Sequence, residues 1–395
     1  MPGPTSYQTV WIKAQSVWGT AAAPAAADAL DVAVVPFPLQ QEALTPDVGY
    51  AGAHSIEPTP GSKAGISLQI NGVLHGWSAT TPTADPVATP EQLLLEWVFG
   101  GVIRDGYATD LAGGASGSVN VTAGVANHVG QSVLLPLDAT ASRGIAWYQS
   151  LAANVYTLIA DLIDAPASSG TIYGSATFYL DPIAIPLPFT IRVRGSVADA
   201  DKVYSDCHVS GTVTLALSSR GQWSYQIPVV ALAVDEAPGD AAIATPAAAL
   251  YPRVPATLGA SGSRMTIANG AVCFQEATLT INVPTEMQNC HNANQGVKQV
   301  IVMRRTAQLE LTGIDRSQDA LAAPGASVGV VQIDGNTTPG RAASLLIPLA
   351  HAAEKETPAD ISGILGSRLL LKPSLYAGDS GASAVNNTPL KFALL

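Results

Sequence analysis

Two stretches decide the fold: Ile66-Ser-Leu-Gln-Ile70, running on into Asn71 and Gly72, and Ala307-Gln-Leu-Glu-Leu311, running on into Thr312 and Gly313. In each, apolar residues stand two apart, the period of a strand with one face buried and one solvated. The same alternation recurs in Ser118-Val-Asn-Val-Thr122, Thr190-Ile-Arg-Val-Arg194, Thr212-Val-Thr-Leu-Ala-Leu217 and Thr278-Leu-Thr-Ile281. Their β-branched content suits a pleated, half-buried surface. Turn clusters such as Ser218-Ser-Arg-Gly221 and Asp334-Gly-Asn-Thr337 separate the runs. The chain is expected to be mainly β.

One helix is signalled clearly. Thr89-Pro-Glu-Gln92 supplies an N-cap Thr, a Pro at the first helical position and a Gln at the capping-box position. Leu94, Trp97 and Val98 follow at helical spacing, and Gly100-Gly101 stops the helix. Residues 147–163 fit two patterns. Tyr148, Leu151, Val155, Leu158 and Leu162 form a helical stripe, whereas Val155-Tyr-Thr-Leu-Ile159 would also serve as a strand. A helix is the expectation there.

Long polar stretches flank the two deciding strands. Gln40 to Ser62 is studded with Pro and Gly, and Val283 to Val297 is rich in Asn and Gln. Loops of this length without structure of their own are usually functional or ordered by a partner. A third stretch, Ala237 to Ser263, is Ala/Pro-rich and reads as a flap or connector. The first two loops each lead through a basic residue, Lys63 or Arg304, into an alternating strand ending in Gly, at a constant offset of 241 residues. This points to an internal duplication, although alternating strands after loops also recur by chance. Pro182-Ile-Ala-Ile-Pro-Leu-Pro188 is the plausible junction, dividing the chain into residues 1–185 and 186–395.

Composition excludes several classes of function. Lys+Arg 19 and Asp+Glu 30 make 49 charged residues in 395, about half the usual share. Mean hydropathy is +0.25 and hydrophobic residues are 47% of the chain, too apolar for a disordered protein. A net charge of −11 with pI ≈ 4.9 opposes nucleic-acid binding, which needs a basic face. No run approaches the ~20 apolar residues of a membrane span. Met1 to Lys13 lacks the basic and apolar segments of a signal peptide, and three cysteines at long spacings suggest reduced thiols in a protein made in the cytoplasm.

Catalytic constellations are not found. Gly378-Asp-Ser-Gly381 looks like the nucleophile turn of chymotrypsin-like proteases, but Ala382 follows where that family has Gly. Neither His54 nor His351 stands in that family's histidine context. Cys207-His208 and Cys290-His291 are adjacent pairs rather than zinc-ligand spacings. Asp199, Asp201 and Asp206 lack the Gly and terminal Glu of a calcium loop. Trp223 and Tyr225 could stack on a sugar, though packing is the commoner fate of such a pair. No metal or cofactor is expected. A low-charge, strand-rich chain with long polar loops suits self-assembly, since interface cores are depleted in charge and strand edges can pair between subunits.

Three stretches carry a family resemblance. Ile12-Lys-Ala-Gln-Ser-Val-Trp-Gly-Thr20, with Asp28-Ala-Leu-Asp-Val32 and Pro36-Phe-Pro-Leu39 after it, resembles the opening of tail tube proteins of tailed bacteriophages, with Gln15 where an acidic residue is usual. Leu94-Leu-Glu-Trp-Val-Phe-Gly-Gly101 looks like that family's helix ending in Gly, and Tyr204-Ser-Asp-Cys-His-Val-Ser-Gly-Thr-Val-Thr-Leu215 is similar to its later strand entered through a Cys. The resemblance implies two tandem tail-tube-type β-sandwich or barrel domains, each with a flanking helix and a long inter-subunit loop. It also implies a structural virion protein of the tail, assembling into stacked rings through which the genome passes. A duplicated chain needs three copies for pseudo-sixfold symmetry; a hexamer is the alternative. Tape measure, terminator and baseplate proteins are the implied partners. Candidate inter-subunit contacts are Gln40, Thr45, Tyr50, His54 and Lys63 in the first loop, and Asn289, Asn292 and Arg304 in the second. Residues 1–100 hold two Lys against eight acids, a net of −6, so an acidic lumen that repels DNA is expected. The competing expectations are a baseplate or capsid decoration protein, a β-sandwich hydrolase and, less compatible with this N-terminus, an adhesin.

Overall fold

A computed structural model describes residues 9–30, 32–36, 65–76, 89–107, 109–138, 143–194, 202–218, 222–235, 264–289, 297–314, 325–361, 364–379 and 385–395. The chain is mainly β, and both deciding stretches are strands. Eight strands form the principal face, labelled in chain order. They are β1 (Val32–Pro36), β2 (Ile66–Val73), β3 (Gly211–Ser218), β4 (Trp223–Ala231), β5 (Glu276–Val283), β6 (Thr306–Ile314), β7 (Ala343–Ile361) and β8 (Ile364–Pro373). Antiparallel ladders join them in the order β1-β2-β4-β3-β5-β6-β8-β7.

Alternation places one set of side chains inward. Leu68, Ile70, Val213, Leu215, Ile227, Val229, Leu279, Ile281, Leu309, Leu311, Leu369 and Leu371 are all buried in one core. Burying each such side chain contributes on the order of 1.5–3 kcal/mol, so slipping one strand by a single residue would cost several of these terms together. The core is closed by a second layer, in which strand Thr9–Ala14 pairs with Phe189–Arg194 and Phe189–Arg194 with Lys202–Val209. It is closed also by α1 (Pro90–Phe99). The cap is built as the sequence predicts: Thr89 Oγ1 accepts from Gln92 N at 3.3 Å, and Gly100 takes φ 98° at the C-cap. The Gln92 side chain, however, accepts from Arg104 Nε at 3.0 Å rather than completing a capping box.

Residues 147–163 are a correction. Residues 147–152 and 155–158 belong to strands Arg143–Ala152 and Val155–Leu158, paired as a hairpin with Val155 opposite Ala152, and residues 159–163 follow as irregular chain. Ala153 at φ 53° and Asn154 make the two-residue turn that a right-twisted hairpin favours. These strands lie in a six-stranded sheet with its own apolar cluster, including Tyr107, Val119, Tyr148 and Tyr156. The lobe is an insertion: strand Gly100–Asp105 leading into it and strand Ser175–Leu180 leaving it are paired with each other.

Two further expectations meet the structure. α1 is the one α-helix among the described residues, and it lies in the first half of the chain. Strands on either side of residue 185 share ladders: β2 pairs with β4, Thr9–Ala14 with Phe189–Arg194, and Ser175–Leu180 with Lys391–Leu394.

Candidate functional site

The outward face of the eight-strand sheet is a broad polar surface. Ser67, Gln69 and Asn71 of β2, Thr212 and Thr214 of β3, and Ser224 and Gln226 of β4 lie on it. Thr278, Thr280 and Asn282 of β5 continue it towards Gln308 and Thr312 of β6. The strand period makes this face by default, because each hydroxyl or amide alternates with a buried aliphatic. Two open depressions lie along it, one beside Asn71, Thr214 and Gln226 and one beside Thr280, Asn282 and Gln308. Charge there is nearly balanced among the described residues: Glu276, Glu310 and Glu354 face Arg368 and Lys372. Glu310 accepts from Arg368 Nε at 2.6 Å.

The order of strands contains a repeat. β1, β2, β4 and β3 follow one another just as β5, β6, β8 and β7 do, and the connections match. β1–β2 and β5–β6 are each joined by a long excursion, and β3–β4 and β7–β8 are consecutive antiparallel pairs. Registers also correspond. Ile70 stands between Val34 and Ile227 as Leu311 stands between Ala277 and Leu369. The two units meet at the β3–β5 ladder, from Gly211 opposite Val283 to Ser218 opposite Glu276. Their remaining outer strands are β1 and the later half of β7, and neither outer edge has a further strand beside it among the described residues.

The excursion between β5 and β6 begins and ends as a two-stranded ribbon, Thr285–Asn289 against Val297–Val302. Its foot is closed by Met303 N donating to Pro284 O at 2.8 Å. Arg305, buried, then anchors that foot to the rest of the molecule. Nη1 donates to Asp181 O at 2.9 Å and Ala184 O at 2.8 Å, and Nη2 donates to Trp97 O at 3.0 Å. Burial lowers the guanidinium pKa to about 10, with the Asp181 charge opposing, so it stays charged near neutrality. One side chain therefore ties the C-terminal turn of α1, the Pro182–Pro188 crossing and the ribbon. The crossing exposes Ile183, Ile185 and Leu187, and Trp97 Nε1 donates to Leu187 O at 2.7 Å.

The sequence-based candidates distribute unevenly. Gln40, Thr45, Tyr50, His54, Lys63 and Asn292 lie outside the described residues. Asn289 ends the first ribbon strand opposite Val297, and Arg304 is exposed at the ribbon's foot. Arg305, its neighbour, is the residue sequence reasoning missed; the only available signal was a second arginine directly before an alternating strand. Gln15, at the departure from the family's acidic residue, is buried with Nε2 donating to Thr190 Oγ1 at 3.0 Å. Trp223 and Tyr225 are core residues. Ser380, Cys290, His291, Asp199 and Asp201 lie outside the described residues, while Asp379 is buried against Lys391. Cys207 is buried, and Asp206 accepts from Gly19 N at 2.7 Å. Among the described residues no three His, Cys, Asp or Glu side chains converge on one point, and no helix is long and apolar enough to cross a membrane. Comparison with known protein families finds no family model that matches this chain, and comparison with curated proteins finds no match.

Proposed function

We propose that this chain is a structural virion protein of the tail-tube type, whose copies pair edge to edge into rings that stack into a conduit for the genome. One observation carries the proposal: the β3–β5 ladder already joins two like four-strand units inside a single chain. The edges left over, β7 and β1, are the counterparts of β3 and β5. Pairing β7 of one copy with β1 of the next repeats the internal junction, a heterologous contact that closes if the rotation per unit divides the circle. Three copies of eight strands, six four-strand units in all, give pseudo-sixfold symmetry; six copies would be needed if each chain supplied one unit. The duplication is thus read as two consecutive units, residues 32–231 and 276–373, rather than halves divided at residue 185, and the ribbon and the segment 37–64 stand at equivalent places in their chain order.

In this reading the polar face lines the conduit. Its hydroxyls and amides, with charge nearly balanced, offer a passing polyanion no basic track to bind, since adhesion requires neutralising phosphates with lysine and arginine. Passage then rests on neutral polarity more than on the repulsion expected from the acidic total. Tape measure and terminator or baseplate proteins remain the proposed partners at the tube's ends, and the virion tail the proposed location.

Transposing the internal register places Ala359 of one copy opposite Val35 of the next, as Ala216 stands opposite Thr278. A Val35→Cys/Ala359→Cys chain, oxidised after assembly, is expected to give covalent species ending at the closed ring, with neither single variant doing so. Disulfides confined within single chains, or no linkage in assembled material, would overturn the edge pairing.

A further inference from the structure

We propose that Lys391 and Asp379 become joined by a side-chain amide, a covalent clasp that fastens the last strand of the chain. Strand Lys391–Leu394 lies between strand Ser175–Leu180 and the first residues of β7. Leu390, Phe392 and Leu394 point into the main core, while Lys391 lies on the strand's other face with Ala393. Nζ of Lys391 is 2.6 Å from Oδ2 of Asp379, and both side chains have no exposed surface.

The surroundings fit an amide better than an ion pair. Among the described residues, Asp379 Oδ2 is the one polar partner of an amine with three potential donors. Asp379 Oδ1 is buried and accepts no hydrogen bond within 3.5 Å from the described residues, the Tyr376 hydroxyl being its neighbour. An ion pair so enclosed bears the desolvation of two charges and leaves donors and an acceptor unmatched. An amide carries no net charge, one N–H and one carbonyl. The carboxyl group is also held in place: Oδ2 accepts from Asn387 N at 3.0 Å, and Asp379 N donates to Asn387 Oδ1 at 3.1 Å. Tyr376 stands beside it, its hydroxyl 3.0 Å from Gln149 Nε2. Gly378 makes that approach possible, because a Cβ there would sit 2.5 Å from the Tyr376 hydroxyl oxygen.

The step needs no oxidant, metal or cofactor. A proton passes from the Lys391 ammonium to Asp379 Oδ2, leaving a neutral amine against a carboxylic acid. Burial lowers the Lys391 pKa, with the Asp379 charge opposing. The Nζ lone pair attacks Cγ and the Nζ–Cγ bond forms. The Cγ–Oδ2 bond then breaks, and that oxygen leaves as water with its own proton and a second from Nζ. The Tyr376 phenol, kept protonated by burial and the Asp379 charge, is placed to relay the second proton. An ammonium and a carboxylate thereby become one amide and one water.

Mass spectrometry of the full-length purified chain tests the clasp. The intact mass is expected to fall short of the sequence mass by one water, with a branched peptide joining residues 379 and 391 after digestion. Asp379→Asn is expected to lose one ammonia instead, and Lys391→Met neither. Wild-type protein at its full sequence mass, with the two peptides recovered separately, would establish a simple buried ion pair and overturn the proposal. Neither outcome depends on ring assembly, so this test and that of the proposed function fail independently.

Discussion

Replacing Arg305 with Met removes three charge-assisted hydrogen bonds, to Asp181 O, Ala184 O and Trp97 O, while keeping much of the aliphatic volume. Lost bonds to a charged donor cost roughly 1.5 kcal/mol each at the low end, and part is returned because a buried guanidinium no longer has to be desolvated. A net destabilisation of about 4 kcal/mol follows. Unfolding entropy of roughly 2.1 cal/mol/K per residue, over 395 residues, is about 0.8 kcal/mol/K, so the midpoint should fall by about 5 °C if the chain melts as one unit. Thermal melting followed by circular dichroism measures this. Arg305→Lys, which keeps the charge but not the fork, should lie between variant and wild type. Arg304→Ala, exposed one residue earlier, should change stability by no more than about 0.5 kcal/mol. An Arg305→Met melt that coincides with that of Arg304→Ala would refute the clamp.

His208 should weaken the fold in acid. Burial lowers its pKa to about 4 from an unfolded value near 6.5, among the rings of Trp18 and Trp97. Between those values the unfolded chain takes up a proton that the folded chain refuses, so stability is intact above about pH 6.5 and falls as pH drops towards 4, by at most about 3 kcal/mol. His208→Gln should flatten this part of the pH–stability curve in denaturant titrations; an unchanged slope would remove His208 as its cause. Phe392→Ala should cost about 3–5 kcal/mol, because its ring packs on Phe99 at 5.9 Å, Phe178 at 6.5 Å and Trp223 at 5.4 Å and leaves a cavity among them. Chemical denaturation reads that directly, and a loss below about 1 kcal/mol would mean that the three neighbours collapse into the gap.

The strand period made much of this architecture legible. Leu68 and Ile70, and Leu309 and Leu311, are inward as their spacing requires, and the helix at Pro90–Phe99 is announced by Thr89, Pro90 and Gly100. The hairpin at Arg143–Leu158 was not legible, because Tyr148, Leu151, Val155 and Leu158 satisfy a helical stripe as well as a strand pair. The turn at Ala153-Asn154, which decides between them, rests on a left-handed Ala that no local rule favours. The offset between residues 66–72 and 307–313 hinted at repetition, but not at a first unit that runs past residue 185, in which β2 pairs with β4 across more than a hundred residues of intervening chain. Long-range partners of this kind depend on closure of the whole sheet, not on spacing within a strand. Arg305 and Lys391 stayed hidden for a related reason: a charge looks solvated until the elements that enclose it are assembled.

In the proposed assembly β7 of each copy pairs with β1 of the next, repeating the internal β3–β5 junction until the ring closes. Electron microscopy of the purified full-length chain after assembly tests it most directly. Stacked rings of three copies, each ring showing six similar lobes around a central channel, are expected. Monomers, or closed particles without a channel, would contradict it.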